Sequence, residues 1–264
     1  AANFSPYVPT VIGIFMVLFS FNFNFFYLLL IRKFAQVRKF EEVWVFVGIV
    51  LFATITISLD LFNTVYQNFG ESLLASFFQV SSIISTTGFA STDFNLWPQY
   101  SRTLLVIVMV IGACGGSTGG GVKVARVILL FKNLCREIQR FVHPRSVRVI
   151  TLSGKKVDED TLRGIHFFLG LYVVVVVVSV LLLSLEGYSL ETNLTAVLAT
   201  INNIGPGLDL VGPVANFGFF NPFSKLVLIF NMLAGRLEII PIIALFSPSI
   251  WRGGRSNDKK RVSV

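Results

Sequence analysis

The chain contains 264 residues, of which 54% are hydrophobic and 14% are charged, whereas an ordinary soluble domain carries about 25% charged residues. With a mean hydropathy of +0.75, this composition excludes a soluble globular protein and predicts a membrane protein. The net charge of +8 does not indicate a nucleic-acid partner, because the basic residues lack the aromatic or motif context of a nucleic-acid surface.

Five apolar segments are long enough to cross about 30 Å of hydrocarbon. The sequence therefore predicts transmembrane helices at residues 8–31, 43–64, 103–134, 162–185 and 223–250, the third with a glycine-rich break inside it. Six consecutive valines at 173–178 would favour a strand in water. In lipid a lone strand leaves its backbone groups unpaired, so a helix is predicted there.

The positive charges give the orientation. Four of the 22 lysine and arginine residues lie at 32–39, ten at 123–163 and five at 252–261. Because loops rich in lysine and arginine stay on the inner side, these three segments are predicted to be cytoplasmic.

Two shorter apolar runs, at residues 72–85 and 190–203, lie between spans whose ends both face outward. Fourteen helical residues rise only about 21 Å, too little for a crossing. Each run is therefore predicted to enter from outside as a re-entrant helix and to return in extended form, through "STTGFAST" and "NNIGPGLDL". Gly88 and Gly205 in these returns allow consecutive carbonyls to face one axis, where they can replace the water shell of a cation.

The two hairpins are predicted to be copies of one unit. Aligning Gly88 with Gly205, 117 positions later, also pairs Ser72 with Ser189, Val80 with Val197 and Ile84 with Ile201. At an offset of 123, "SRTLLV" at 101–106 matches "SKLVLI" at 224–229. The unit is helix, pore hairpin, helix, and such internal symmetry is common in transporters.

Four motifs carry a family resemblance: "STTGFASTDFNLWP", "GACGGSTGGGVKVAR", "NNIGPGLDLVGP" and "MLAGRLEIIP". Together they resemble the Trk/Ktr/HKT superfamily of potassium transporters, specifically the C-terminal part of a Trk- or Ktr-type membrane (pore) subunit. The resemblance implies an all-α polytopic membrane protein with potassium-channel-like repeats, about five transmembrane helices and two pore hairpins. It divides the chain into the last helix of a second repeat (1–40), a third repeat with a gating loop (41–145), a fourth repeat (146–252) and a cytoplasmic tail (253–264).

The resemblance also implies which residues form the filter. These are Thr87, Gly88 and Phe89 in the third repeat, and Asn203, Ile204, Gly205 and Pro206 in the fourth.

The span at 103–134 breaks at "GACGGSTGGGVK", because six glycines, each about 1 kcal/mol worse than alanine, cannot keep a stable helix. In the family this stretch matches an intramembrane loop that gates the pore. The gate residues implied are Gly115, Gly116, Ser117, Thr118, Gly119, Gly120, Gly121 and Lys123, with Arg236.

Three charged residues have two interpretations each. Arg236 lies within the last predicted span, where a charge is expensive. It either projects toward the pore, hydrogen-bonded to the glycine loop, or only anchors its helix. Asp93 and Asp209 follow the two filters at the outer mouth, where they either concentrate cations or hydrogen-bond the filter backbone.

The function predicted from the resemblance is potassium uptake through backbone carbonyls, with potassium as the transported ion and no organic cofactor. A sodium or mixed monovalent cation transporter and a non-conducting scaffold remain alternatives, and no arrangement of catalytic residues indicates an enzyme. The implied partners are the missing N-terminal repeats, a second copy in a homodimer, a cytoplasmic nucleotide-binding regulatory ring docking on 132–156 and 252–261, and the lipid of a bacterial plasma (inner) membrane.

Overall fold

The computed structural model describes residues 5–143 and 149–237, and within these ranges the chain folds into helices and one small β-hairpin. Before the hairpin lie α1 (Tyr7–Phe19), α2 (Phe23–Leu30), α3 (Phe34–Arg38), α4 (Glu41–Leu61), α5 (Phe69–Ile84), α6 (Gln99–Ile111) and α7 (Val124–Val142). The hairpin and the helices after it are β1 (Thr151–Leu152), β2 (Lys155–Lys156), α8 (Glu159–Ser184), α9 (Leu190–Ile201) and α10 (Pro222–Arg236). The predicted all-α class is confirmed for this part of the chain.

In the described ranges, α4 and α8 are the two uninterrupted helices that are long and apolar enough to cross a membrane. They contain 21 and 26 residues, so each reaches the length of an about 30 Å hydrocarbon core. The six valines lie inside α8 as helix, as predicted. Only 22% of the apolar window of α8 is buried inside the fold, so this helix turns most of its surface outward.

The prediction of one continuous span at residues 8–31 is wrong. The segment forms α1 and α2, which are bent by 91° at a short break. Asn22 restarts the helix by accepting a hydrogen bond from the Asn24 amide at 2.9 Å. The backbone groups that the break releases bind the glycine-rich stretch instead, since Cys114 N–H donates to the Ser20 carbonyl at 3.1 Å. A tertiary partner has replaced the intrahelical one.

The span predicted at 103–134 is interrupted where its glycines lie. Helix α6 ends at Ile111, and α7 begins at Val124. The last predicted span starts as α10, whose described part ends at Arg236. The rest of that prediction, from 238 to 250, and the cytoplasmic tail at 253–264 lie outside the described residues.

The β-hairpin, which lies in the segment predicted to be cytoplasmic, was not expected from the sequence. Thr151 pairs with Lys156 and Leu152 with Lys155. The two residues of its turn, Ser153 and Gly154, have φ of 51° and 79°, as a two-residue hairpin turn requires. The pair Ser153-Gly154 was the sequence signal that could have predicted this turn.

Each of the two predicted repeats has a short apolar helix packed between two neighbouring helices. Helix α5 packs between α4 and α6, α9 packs between α8 and α10, and α6 also contacts α9. The two predicted repeats therefore contact each other through α6 of the first and α9 of the second. The short helices contain 16 and 12 residues, about 24 Å and 18 Å of rise, so neither crosses a membrane alone.

Small hydroxyl side chains pack the third repeat. Ser58, Ser72, Ser76 and Ser82 are fully buried, and Ser72 Oγ donates to the Ser58 carbonyl at 2.7 Å. In lipid the hydrophobic effect does not drive helices together, whereas small residues let backbones approach and polar groups bond across the contact. This is why a serine-rich helix such as α5 can be the centre of an apolar chain.

Candidate functional site

The predicted filter of the third repeat begins where α5 ends. The amides of Thr87 and Gly88 both donate to the Ser82 carbonyl, at 3.0 and 3.3 Å. Ser82 Oγ donates in turn to the Phe89 carbonyl at 2.5 Å. Ser82 therefore fixes both ends of the turn, and Thr87 and Phe89 are exposed while Gly88 is half-buried.

The predicted filter of the fourth repeat has the same backbone form. The Ile204 amide donates to the Ala199 carbonyl at 2.8 Å, which repeats the Thr87–Ser82 bond 117 positions later. The turn residues Thr86 and Asn203 have nearly equal φ, 57° and 55°. Equal backbone conformations at a constant offset indicate two copies of one filter turn.

The two filter segments touch each other. A Cβ built on Gly88 would lie 2.0 Å from the Ile204 carbonyl oxygen, so no side chain fits at this contact. Gly88 also has φ of +79°, which side chains disfavour. Between described residues, no hydrogen bond ends on the carbonyl oxygens of Thr87, Gly88, Ile204 or Gly205. These oxygens are the predicted ion ligands of the two turns.

Asn95 joins the two repeats at the outer mouth. Its Nδ2 donates to the Asp209 carbonyl at 2.9 Å, and its Oδ1 accepts from the Asp209 amide at 2.8 Å. Nearby, Arg102 on α6 forms an ion pair with Glu191 in the first turn of α9. Two polar contacts thus cross the boundary between the copies. Of the four residues in them, the sequence analysis assigned only Asp209 to the site.

The two outer aspartates are engaged with the protein. Asp93 Oδ1 accepts from the Asn95 amide at 3.0 Å. Asp209 Oδ2 accepts from the hydroxyls of Ser189 and of Thr192, the latter at 2.6 Å. These two hydroxyl donors hold the pKa of the Asp209 carboxyl below its ordinary value, the Ser189 contact contributing most.

The glycine-rich stretch lies against the turns that end both pore helices. Gly120 N–H donates to Thr86 Oγ1 at 2.8 Å, and Lys123 Nζ donates to the Gly119 carbonyl. A cavity of about 300 Å³ is shared by Thr87 of the filter and Thr118 of the stretch. The predicted filter and the predicted gate therefore face one space.

Arg236 reaches the same stretch from α10. Its Nη1 donates to the Thr118 carbonyl at 2.9 Å, a contact that fits both the pore-facing and the anchoring interpretation of this arginine. A second cavity of about 150 Å³ lies between this arginine, the end of α9 and the glycine-rich stretch. Its lining includes Ser117, Thr118, Gly119, Gly120, Gly121, Lys123, Asn202 and Arg236. The other predicted gate residues bind elsewhere: Gly115 N–H donates to Glu42, and the Gly116 carbonyl accepts from the Phe23 amide at 3.1 Å.

Comparison with known proteins connects this arrangement to a family. Residues 2–252 match the family model TrkH, described as cation transport protein. The chain is 38% identical over 250 residues to the Trk system potassium uptake protein TrkH of Salmonella typhimurium, covering 94% of this chain and 51% of that protein. It is 34% identical over 246 residues to the Trk system potassium uptake protein TrkG of Escherichia coli, covering 93% and 50%.

The fold agrees with a solved structure of the same kind. It matches the crystal structure of the potassium transporter TrkH from Vibrio parahaemolyticus with a TM-score of 0.86 at 32% identity, covering 95% of this chain and 54% of that one. The chain thus spans about half the length of the relatives it matches. It is an integral protein of the bacterial inner membrane, and it belongs to the TrkH family of cation transport proteins.

Proposed function

We propose that the chain supplies two of the four walls of a potassium-conducting pore. The observation that carries the proposal is that two turns touch, and that no hydrogen bond between described residues ends on the carbonyls of Thr87, Gly88, Ile204 and Gly205. Non-helical backbone at membrane depth is tolerated where it lines a watery cavity, and rings of carbonyls can replace the water around a dehydrating cation. The relatives are named as potassium uptake proteins.

The glycine-rich stretch at residues 112–123 is the proposed gate. It contacts the filter turn through Thr86 and is held by Arg236 through Thr118. The arginine places a positive charge next to this stretch, and with Lys123 it raises the electrostatic barrier to a cation that leaves the filter. Movement of the stretch would change both the open cross-section and the position of these charges.

The remaining walls are proposed to come from N-terminal repeats, which the family resemblance implies and for which the unmatched half of the relatives' length leaves room. Among the described residues, nothing lies within 4 Å of a Cβ built on Gly205. The cavity beside it, about 620 Å³, is lined by the end of α9, the turn at 203–205, Phe217, Gly218 and one side of α10. A preceding repeat would cover this surface. A second copy of the chain and a cytoplasmic nucleotide-binding ring complete the proposed assembly. The ring is proposed to dock on residues 132–156 and 252–261.

A chimera tests the transport proposal. This chain replaces the matching half of the Salmonella typhimurium relative, and potassium uptake is measured in bacterial cells that lack their own uptake systems. We expect uptake from the chimera and its loss in Gly88→Ala, whose new methyl group has no space beside the Ile204 carbonyl.

Gly170→Ala is the matched control, because Gly170 lies in α8 with nothing within 4 Å of the added atom. This variant should keep uptake. A chimera that folds, as judged by a single peak in size-exclusion chromatography, and yet takes up neither potassium nor sodium would support the scaffold alternative instead.

A further inference from the structure

A buried carboxylate outside the residues discussed so far holds the glycine-rich stretch from its other side. Glu42, in the first turn of α4, is 4% exposed. Its Oε1 accepts a hydrogen bond from the Gly115 amide. The carboxylate also interacts with the Asn22 side chain, the Ala125 amide and the charge of Lys123. Glu42 thus lies where α4, the α1–α2 break, the stretch and the start of α7 meet.

The same side of the stretch is tied to the α1–α2 break. Cys114 N–H donates to the Ser20 carbonyl at 3.1 Å, and Phe23 N–H donates to the Gly116 carbonyl at 3.1 Å. Thr118 Oγ1 donates to the Phe19 carbonyl at 3.2 Å. Two interrupted helices therefore satisfy each other's released backbone groups, and Glu42 accepts from the amide between two of these bonds.

We propose that Glu42 is a positioning residue of the gate, which anchors the glycine-rich stretch to α4 and to the α1–α2 break. A buried carboxylate requires donors, and its bonds to N–H groups are about twice as strong as neutral ones. The stretch can leave its position only when Gly115 leaves this carboxylate. The proposal rests on the function proposed above, in which the stretch is the gate.

The substitution that tests the anchor is Glu42→Gln, which keeps the shape and one acceptor oxygen but removes the charge. We expect the anchored state to be weakened about tenfold relative to the released state. In the chimera, this weakening should raise potassium flux by up to about tenfold. The matched control is Glu41→Gln, because the neighbouring Glu41 pairs with Lys132 and should leave flux unchanged.

Hydrogen exchange supplies a readout that does not depend on transport. In the chain itself, reconstituted in lipid nanodiscs, amides of the peptide 112–123 should exchange faster in Glu42→Gln than in the wild type. Glu41→Gln should leave this peptide unchanged, and the amides of α8 should not respond in either variant. A change limited to the stretch is not expected from general loss of stability, which would increase exchange in both regions.

The outcomes separate the two proposals. Equal exchange of the stretch in Glu42→Gln and Glu41→Gln overturns the anchor, whatever the flux. Faster exchange in Glu42→Gln together with no flux in any chimera, wild type included, supports the anchor and contradicts the transport proposal. If Glu42→Gln does not fold, Glu42→Asp, which keeps the charge and shortens the reach to Gly115, should produce the same local increase, and its absence overturns the anchor.

Discussion

Both the charge and the position of Arg236 bear on the proposed gate. It brings a positive charge next to the glycine-rich stretch and holds that stretch through the Thr118 carbonyl. In the proposed mechanism both effects restrict the passage of a cation, the first through repulsion and the second through closure. Removing the side chain removes both effects.

We therefore predict that Arg236→Ala raises the rate of potassium uptake, by roughly tenfold, as loss of one charge-assisted hydrogen bond allows. The measurement is uptake by the chimera at equal expression. Arg163→Ala is the control, since the Arg163 side chain is 81% exposed at the start of α8. Unchanged or lower uptake in a folded Arg236→Ala protein would favour the interpretation that Arg236 only anchors its helix.

Asp209 predicts a dependence of stability on pH. Its carboxyl has a pKa below the ordinary value because the Ser189 and Thr192 hydroxyls donate to the charged form. The stabilisation is complete above the ordinary pKa of an aspartate, about 4, and is lost as the pH falls through the lower folded value. Asp209→Asn should thus lower the melting temperature at about pH 7, and the difference from wild type should narrow toward about pH 3.

Thermal unfolding in detergent across this range measures the effect. Asp160→Asn is the control, because the Asp160 side chain is 91% exposed. A constant difference between wild type and Asp209→Asn at every pH would show that the carboxyl charge does not contribute.

Helices α9 and α10 pack so closely at Gly235 that no side chain fits between them. A Cβ on Gly235 would lie 1.6 Å from the Ile201 carbonyl oxygen at the end of α9. The Asn203 side chain also donates to the Met232 carbonyl of α10 at 3.2 Å. Helix α10 thus packs directly against the base of the predicted filter turn of the fourth repeat.

We predict that Gly235→Ala separates these two helices and costs about 1–3 kcal/mol of unfolding free energy, as overpacked sites do. The same change at Gly170 in α8 meets nothing within 4 Å and should be neutral or slightly stabilising, since alanine favours helices. The melting temperatures of the two variants measure this difference in stability. Equal values would mean that α10 can shift without cost.

The elements show what the sequence could predict and where it failed. The valine run in α8 was predictable because lipid leaves a strand unpaired, and the break after α6 was predictable because its glycines are local. The α1–α2 bend was missed because Ser20–Asn22 contains neither proline nor glycine. Its cause is a hydrogen bond to Cys114, more than 90 residues away, and no local pattern reports such a partner.

For the candidate site, too, some residues could be predicted from the sequence and others could not. The likeness of the turns at Gly88 and Gly205 was predictable because each turn is built from its own neighbours, so a constant offset of 117 carries the geometry. Glu42 was missed because a glutamate in a first helical turn is ordinary in sequence. Asn95 was missed because its partner, Asp209, lies 114 positions away. Both residues act through tertiary contacts that only the fold creates.

For the whole molecule, the two cysteines give a test of orientation. Cys135 on α7 is exposed, and Cys114 is fully buried. Because α7 belongs to the basic segment predicted to be cytoplasmic, we predict that a membrane-impermeant thiol reagent labels Cys135 in inside-out vesicles and not in intact spheroplasts. Cys135→Ser should abolish labelling and Cys114→Ser should preserve it. Labelling of Cys135 from the outer side would invert the proposed topology.

The side-chain amide of Asn95 affects how the two predicted repeats can move relative to each other. It binds the Asp209 backbone on both its donor and its acceptor side, so we expect the outer ends of the two predicted repeats to move together. Deformation is then confined to the inner side, where the glycine-rich stretch is held by hydrogen bonds to separate elements. Ion discrimination and throughput are consequently separable properties: variants at the inner anchors should alter how fast ions pass while leaving the choice among ions as it was.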